Sequence, residues 1–110
     1  MSDLKDFNKI NDLFDIYSSL LTPKQRKIIV EYYHYDLSLQ EISLEENISR
    51  SAILDSIETT KKKLYSYEDK LKIDQRRKEI KKILLDNEVD SSIVEKILKE
   101  LFYGIWKSNR

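Results

Sequence analysis

The chain has 110 residues, the size of one domain, with 40% hydrophobic and 36% charged residues and a formal net charge of zero. Ordinary domains are more apolar and less charged than this, so the expectation is a thin core behind long charged faces. One Gly, one Pro and no Cys exclude a turn-rich β fold, a disulfide framework or thiolate metal site, and the glycine-rich loops that cradle dinucleotides or phosphates.

Read in chain order, every element is a helix. Leu4 to Leu21 carries Ile10, Leu13, Phe14, Tyr17, Leu20 and Leu21 in steps of three and four, which places them on one helical face. Asp3, Asp6, Asp12 and Asp15 keep this start from reading as a signal peptide. No apolar run approaches the ~18 residues of a membrane span. A cytoplasmic protein with no membrane insertion is expected.

Thr22-Pro23-Lys24-Gln25 is a strong helix start. Thr22 caps, Pro23 suits the first helical position, and Gln25 reaches back to complete a capping box. The helix that follows places Ile28, Ile29, Tyr32 and Tyr35 on one face and ends near Tyr35–Asp36. Core packing is the expected role of Tyr32 and Tyr35. Ser38-Leu39-Gln40-Glu41 is a second capping box, opening a short helix to about Glu46. Asn47 tolerates the left-handed conformation that would end it, and Ser49 can cap the next helix.

That next helix is long. Ile53, Ile57, Thr60, Leu64, Tyr67 and Leu71 alternate in steps of four and three, a seven-residue seam that seeks another helix, in this chain or in a copy of it. Residues 64–86 read as either one helix or two, because neither Gly nor Pro marks a junction near Lys72–Asp74. Ile80, Ile83 and Leu84 continue the pattern to Asp86, and Asn87 to Asp90 is a connection. Ser92-Ile93-Val94-Glu95 reads as a third capping box. The last helix carries Val94, Ile97, Leu98, Leu101, Phe102, Ile105 and Trp106.

The informative stretch is Leu39 to Ile57. Ser38-Leu39-Gln40-Glu41-Ile42 followed by Asn47-Ile48-Ser49-Arg50-Ser51-Ala52-Ile53 has the form of a helix-turn-helix. Ile42, Ile48, Ile53 and Ile57 must meet to set the crossing of the two helices. The second helix then presents its N-terminal residues to a groove. Ser43 stands where Ala is common and the helices approach closely. Glu46 stands where an apolar residue is usual, with Leu44 as its substitute.

With Leu20-Leu21-Thr22-Pro23-Lys24-Gln25-Arg26 upstream, the stretch resembles region four of bacterial sigma factors. It resembles the YlxM family of small bacterial helix-turn-helix proteins more closely still, and Leu13-Phe14-Asp15-Ile16-Tyr17 and Tyr67-Glu68-Asp69-Lys70-Leu71 share in that likeness. The resemblance covers Leu13 to Ile73 well and the C-terminal helices by layout. It implies an all-α fold of the sigma region-four type, within the winged-helix-like DNA-binding superfamily, with additional C-terminal helices. In that layout residues 22–64 are the helix-turn-helix core and residues 65–110 the C-terminal helices of a single domain, 1–110. It also implies a regulatory role. The family's gene tends to lie beside that of the signal recognition particle GTPase, which implies a link to that pathway and its components as partners.

By alignment with region four, the groove-facing positions are Arg50, Ser51, Leu54 and Asp55. The candidate nucleic-acid contacts are therefore Ser49, Arg50 and Ser51 at the groove, with Lys24, Arg26, Lys61, Lys62 and Lys63 at phosphates. Against DNA stands the charge of the recognition helix: Ser49 to Thr60 holds one basic and two acidic side chains, Arg50 against Asp55 and Glu58. Phosphate neutralisation supplies most non-specific affinity, so such a helix binds DNA weakly. The zero net charge is a cancellation. Residues 1–60 hold 6 basic and 11 acidic side chains, residues 61–110 hold 14 and 9, and residues 61–82 alone hold 10 and 4. That basic stretch either touches nucleic-acid phosphates or is a solvated helix face.

The alternative reading is a non-catalytic protein- or RNA-interaction module, in which Asp55 and Glu58 meet a basic partner. An enzyme has no constellation to support it. His34 reads as an ordinary helix residue, and the acidic residues as lying on solvent faces without an apolar pocket to shift them. No catalytic residue, metal site or cofactor is expected. The seam from Ile53 to Leu71 and the apolar last helix suggest a homodimer, although packing within one chain fits the same pattern.

Overall fold

Among the described residues, four with positive φ end helices, and none is glycine: Asp36, Asn47, Lys72 and Glu88. The computed structural model describes the backbone of residues 4–108 and the side chains of residues 4–102. Helix α1 is Leu4–Tyr17, followed by one 3₁₀ turn, Ser18–Leu20. Helix α2 is Pro23–Ile29, which widens into a π turn over Val30–His34. Helices α3 (Leu39–Glu46), α4 (Arg50–Leu71), α5 (Ile73–Asp86) and α6 (Ser91–Ser108) complete the order, and among the described residues every regular element is helical.

The expected caps form. Thr22 Oγ1 accepts from the Gln25 N–H at 3.1 Å while Gln25 Oε1 accepts from the Thr22 N–H at 3.0 Å. Ser38 and Glu41 repeat this at 3.1 and 2.9 Å. These reciprocal bonds satisfy N–H groups that a helix start leaves without partners. The third box does not form. Asp90 caps α6 instead, its carboxylate accepting from the Ser92 N–H at 2.9 Å and from the Ser92 hydroxyl. A carboxylate two residues upstream is the stronger acceptor, so Ser92 becomes a donor to the cap rather than the cap itself.

The core is built where α1, α2, α3 and α4 meet. Ile10, Leu13, Phe14 and Tyr17 from α1 pack with Leu21, with Ile28 and Ile29 from α2, with Ile42 from α3, and with Ile53, Ile57 and Leu64 from α4. Each such side chain contributes about 1.5–3 kcal/mol on burial. Tyr33 joins them, whereas Tyr32 is half-buried and Tyr35 is 69% exposed. The expected core role of Tyr35 is thus overturned, and the π turn is the cause. The Tyr35 N–H bonds to the Val30 carbonyl, five residues back, at 3.1 Å. The extra residue in that turn advances the register, bringing Tyr33 and Glu31 inward.

The seam on α4 holds for Ile53, Ile57, Thr60 and Leu64, all buried, and α1, α2 and α3 pack against that helix. Beyond Leu64 the pattern changes. Glu68 is buried, Tyr67 is half-buried with its ring 5.8 Å from that of Tyr17, and Leu71 is half exposed. Residues 64–86 are two helices, broken at Lys72 with φ 55° and ψ 33°. The break is held from a distance. Glu68 Oε1 accepts from the Asp74 N–H at 3.0 Å and Oε2 from the Gln75 N–H at 3.0 Å, and the Tyr17 hydroxyl accepts from the Ile73 N–H at 3.3 Å. A side chain of α4 and one of α1 together cap α5.

Helices α5 and α6 form an antiparallel arm with a smaller core. Val94 and Leu98 are buried, and Ile80, Leu84 and Ile97 are half-buried. Ile105 and Trp106 lie outside the residues with described side chains. The arm lengthens the molecule: the radius of gyration is 16.0 Å, against roughly 13 Å for a spherical domain of this size.

Candidate nucleic-acid interface

The crossing of α3 and α4 is set by apolar contacts around a left-handed turn. Ile42 and Ile53 are fully buried, Ile57 nearly so, and Ile48 is half-buried in the turn. Asn47 has φ 58° and ψ 40°, and its N–H bonds back to the Ser43 carbonyl. An asparagine occupies this region at less cost than most residues. Ser43 is buried, and its hydroxyl donates to the Gln40 carbonyl at 2.8 Å, so the small polar side chain closes on its own helix. Leu44 does not substitute for the apolar residue missing at position 46, because it is 71% exposed. The Glu46 side chain turns inward itself and pairs with Lys27 of α2, Nζ to Oε2, at 2.8 Å.

Ser49 caps α4, its hydroxyl accepting from the Ala52 N–H at 3.0 Å and lying 3.2 Å from the Ser51 hydroxyl. Ser49, Arg50 and Ser51 therefore share one exposed turn at the helix N-terminus. Leu54, Asp55 and Glu58 are exposed along the same helix.

The lysines and arginine picked out as phosphate contacts divide into two groups. Lys24 is exposed in the first turn of α2. Lys63 comes to its neighbour, Nζ donating to Gln25 Oε1 at 3.1 Å, so the fold brings these two cations to one corner. Lys62 is exposed and forms no ion pair among the described residues. Arg26 and Lys61 face inward. Arg26 Nη1 donates to the carbonyls of Leu21 at 2.6 Å and Ser18 at 3.3 Å, tying down the corner between α1 and α2. Lys61 pairs with Asp6 of α1 at 3.2 Å, and Asp6 also accepts from the Tyr65 hydroxyl at 2.9 Å.

Most of the basic excess in residues 61–82 is likewise engaged within the chain. Asp74 is fully buried, and Arg77, Lys78 and Lys9 surround it at 2.7, 3.0 and 3.3 Å. Lys78 also reaches Asp12 at 3.3 Å, which binds α5 to α1. Burial alone would push the Asp74 carboxyl up. The hydrogen bonds and charges of Lys78 and Arg77 outweigh it and hold Asp74 below the usual carboxylate range. Lys81 pairs with Glu95 across the α5–α6 arm at 3.5 Å. Lys70, Lys72 and Arg76 remain exposed.

Three acidic side chains thus depart from the expected solvent faces: Glu31, Glu68 and Asp74 are all buried. Glu31 lies in the π turn beside Glu45 and Glu46 of α3. Desolvation, then the neighbouring carboxylate of Glu45, pushes it up to about 7. A charged residue at position 46 of the motif was the sequence signal for this cluster. Asp74 had a weaker one, with Arg77 and Lys78 three and four residues on. His34 is exposed, bonded to Asn11 Oδ1 at 3.0 Å, with its ring edge-on to Phe14.

Two helices joined by a left-handed residue, the second capped and exposed at its N-terminal turn, define a helix-turn-helix protein. The comparisons place it further. Residues 4–101 match the UPF0122 family, described as "Putative helix-turn-helix protein, YlxM / p13 like". The chain is 44% identical to a UPF0122 protein of Fusobacterium nucleatum over 100 residues, 89% of this chain and 97% of that one. It is 42% identical to one from Malacoplasma penetrans over 106 residues, 94% of this chain and 95% of that one. It is 49% identical to UPF0122 protein YofM of Lactococcus lactis over 69 residues, 63% of this chain and 62% of that one. The chain belongs to the UPF0122 family. Among the described residues no helix is long and apolar enough to cross a membrane.

Proposed function

We propose that this is a non-catalytic regulatory protein of the bacterial cytoplasm that binds duplex DNA in the manner of sigma region four. The observation that carries the reading is the exposed turn Ser49-Arg50-Ser51 at the start of α4, held out by the α3 crossing. Arg50 supplies the bidentate fork that suits a guanine edge or a phosphate, and Ser49 and Ser51 add hydroxyls beside it. Lys24 and Lys63 at the α2 corner, with Lys62, serve the phosphates. Arg26 and Lys61 support that surface from within, through their bonds to the α1–α2 corner and to Asp6.

Asp55 and Glu58 keep the affinity low, and two exposed carboxylates on the recognition helix support a second reading. In that reading the helix meets a basic protein or RNA-protein surface belonging to the signal recognition particle pathway. One titration separates the two. A fluorescent 20-base-pair duplex at low salt is expected to bind, to weaken steeply as salt rises, and to lose about tenfold on Arg50→Ala. Absence of binding at low salt sinks the DNA reading. An increase in duplex affinity on Asp55→Lys supports it, and loss of a protein complex on the same change supports the second.

The chain pairs with a second copy through the α5–α6 arm in this proposal. Ile83 on α5 and Ile93 and Leu101 on α6 are 60, 49 and 57% exposed, and a small chain gains most by covering such surplus. Two-fold pairing presents two recognition helices to one duplex.

A further inference from the structure

One acidic cluster, between the π turn and the end of α3, is not used by the DNA reading. It draws one residue from the π turn, Glu31, and two from the last turn of α3, Glu45 and Glu46. One carboxylate oxygen from each lies within 4.8 Å of the others. Two oxygens on opposite sides of a calcium-sized ion are about 4.8 Å apart, twice a bond of ~2.4 Å. Small side-chain rotations therefore bring all three onto one such ion.

The second observation is at Glu31. Its side chain is only 5% exposed, and among the described residues no hydrogen-bond donor reaches its Oε1. A buried carboxylate oxygen without a donor is costly unless something else meets it. The cluster already draws one cation. Lys27 Nζ stands 2.8 Å from Glu46 and 3.6 Å from Glu45, with a side chain 54% exposed and free to swing toward water. A groove lined by Lys27, Val30, Glu31, Tyr35, Leu37 and Glu45 opens beside it, which gives an ion a way in.

We propose that Glu31, Glu45 and Glu46 form a binding site for a hard divalent cation, with Lys27 as the intramolecular cation that the ion displaces. Carboxylate oxygens and water suit such ions, and a soft metal would find neither thiolate nor imidazole here. The bound ion bridges the π turn to the last turn of α3. It thereby stiffens the seat of the first helix of the motif, and the site stands whether or not the motif binds DNA.

The test is a calorimetric titration of the full chain with Ca²⁺ at pH 8 and low salt, with thermal melts alongside. One ion per chain is expected, together with a rise in Tm on adding Ca²⁺. Glu31→Gln is expected to weaken binding at least tenfold. Lys27→Met is expected to strengthen it several-fold, because the competing ammonium is gone. Circular dichroism confirms that each variant is folded. Should Glu31→Gln fail to fold, Glu45→Gln, on the more exposed ligand, is measured in its place with the same expected loss. No binding up to 10 mM Ca²⁺ overturns the proposal. So does binding that ignores both Lys27→Met and the loss of a glutamate, which marks a diffuse surface charge effect.

Discussion

The Tyr17 hydroxyl donates to Glu68 Oε1 at 2.6 Å across 51 residues of sequence. The pair is buried. Desolvation and the Glu68 carboxylate push the Tyr17 hydroxyl above its ordinary titration range, so it remains a donor throughout the physiological range. Through Glu68 the same pair satisfies the first N–H groups of α5. A single contact therefore joins α1, α4 and α5, and it decides where the long helix ends.

Removing either partner should show that role. Tyr17→Phe is expected to cost about 1–2 kcal/mol, and Glu68→Ala about 2–4 kcal/mol because three donors lose their acceptor. Urea unfolding measures both. Hydrogen exchange at Asp74 and Gln75 should accelerate in Glu68→Ala more than exchange in α3. Equal acceleration everywhere would mean that the pair stabilises the fold without capping α5.

Lys72 carries the strain of the break. A left-handed non-glycine residue costs about 1–2 kcal/mol in its backbone. Lys72→Gly is expected to raise stability by about 0.5–1 kcal/mol, since part of that relief is offset by the freer unfolded chain. Asn47→Ala is expected to lower it by about 1 kcal/mol at the turn of the motif. Both are read from denaturant midpoints. A loss of stability in Lys72→Gly would place the strain elsewhere.

Basic residues on the candidate interface should separate by what they touch. Lys24→Ala, Lys62→Ala and Lys63→Ala are each expected to reduce the slope of log affinity against log salt by about 1, with little effect on Tm. Arg26→Ala is expected to do the reverse, lowering stability by about 1–3 kcal/mol as two carbonyls lose a charged donor. Duplex titrations at several salt concentrations, run beside melts, distinguish the two patterns.

Acid should loosen the α1–α5 junction. In the fold the Asp74 carboxyl titrates below its ordinary value of 3.8. Its stabilising contribution is complete above the unfolded value and disappears as pH falls through the lower folded one. Stability is therefore expected to drop as pH falls below about 4. The drop should be shallower in Asp74→Asn, which starts from lower stability because Arg77, Lys78 and Lys9 lose their shared anion. Urea midpoints from pH 5 to pH 2.5 give the comparison. An identical acid slope in the variant would assign the effect to other carboxylates.

Pairing through the arm predicts a mass of twice 13.2 kDa by light scattering in the micromolar range. Leu101→Glu should reduce it to the monomer while leaving the helix content unchanged. A monomer mass at every concentration ends that part of the proposal.

Much of the motif is legible in the residues themselves. Thr22 with Gln25, Ser38 with Glu41, and Ser49 with Ala52 cap their helices through bonds that span three residues. Asn47 ends α3 by a preference of its own side chain. Short-range bonds do not wait on the rest of the chain, so sequence pattern alone reaches them. The third box failed for an equally local reason, with two capping side chains two residues apart and the carboxylate of Asp90 prevailing over the hydroxyl of Ser92.

What the residues do not announce is where their charges go. A chain with one glycine still makes four left-handed helix ends among its described residues, and at Lys72 the residue's own preference does not ask for one. Glu68, just upstream, turns its carboxylate onto the start of α5, and Tyr17, 51 residues before Glu68, holds it there. The π turn that exposes Tyr35 and buries Glu31 is likewise marked by no Gly or Pro in the sequence. The zero net charge, read along the sequence, separates into an acidic half and a basic half. In the fold those halves meet: Lys61 finds Asp6, Lys78 finds Asp12, and Lys9 joins Arg77 and Lys78 around Asp74. Helix, turn and motif were determined by the sequence because hydrogen bonds within four residues specify them. The fate of the ionised groups was decided by the tertiary structure, because burial and pairing depend on which distant helix arrives.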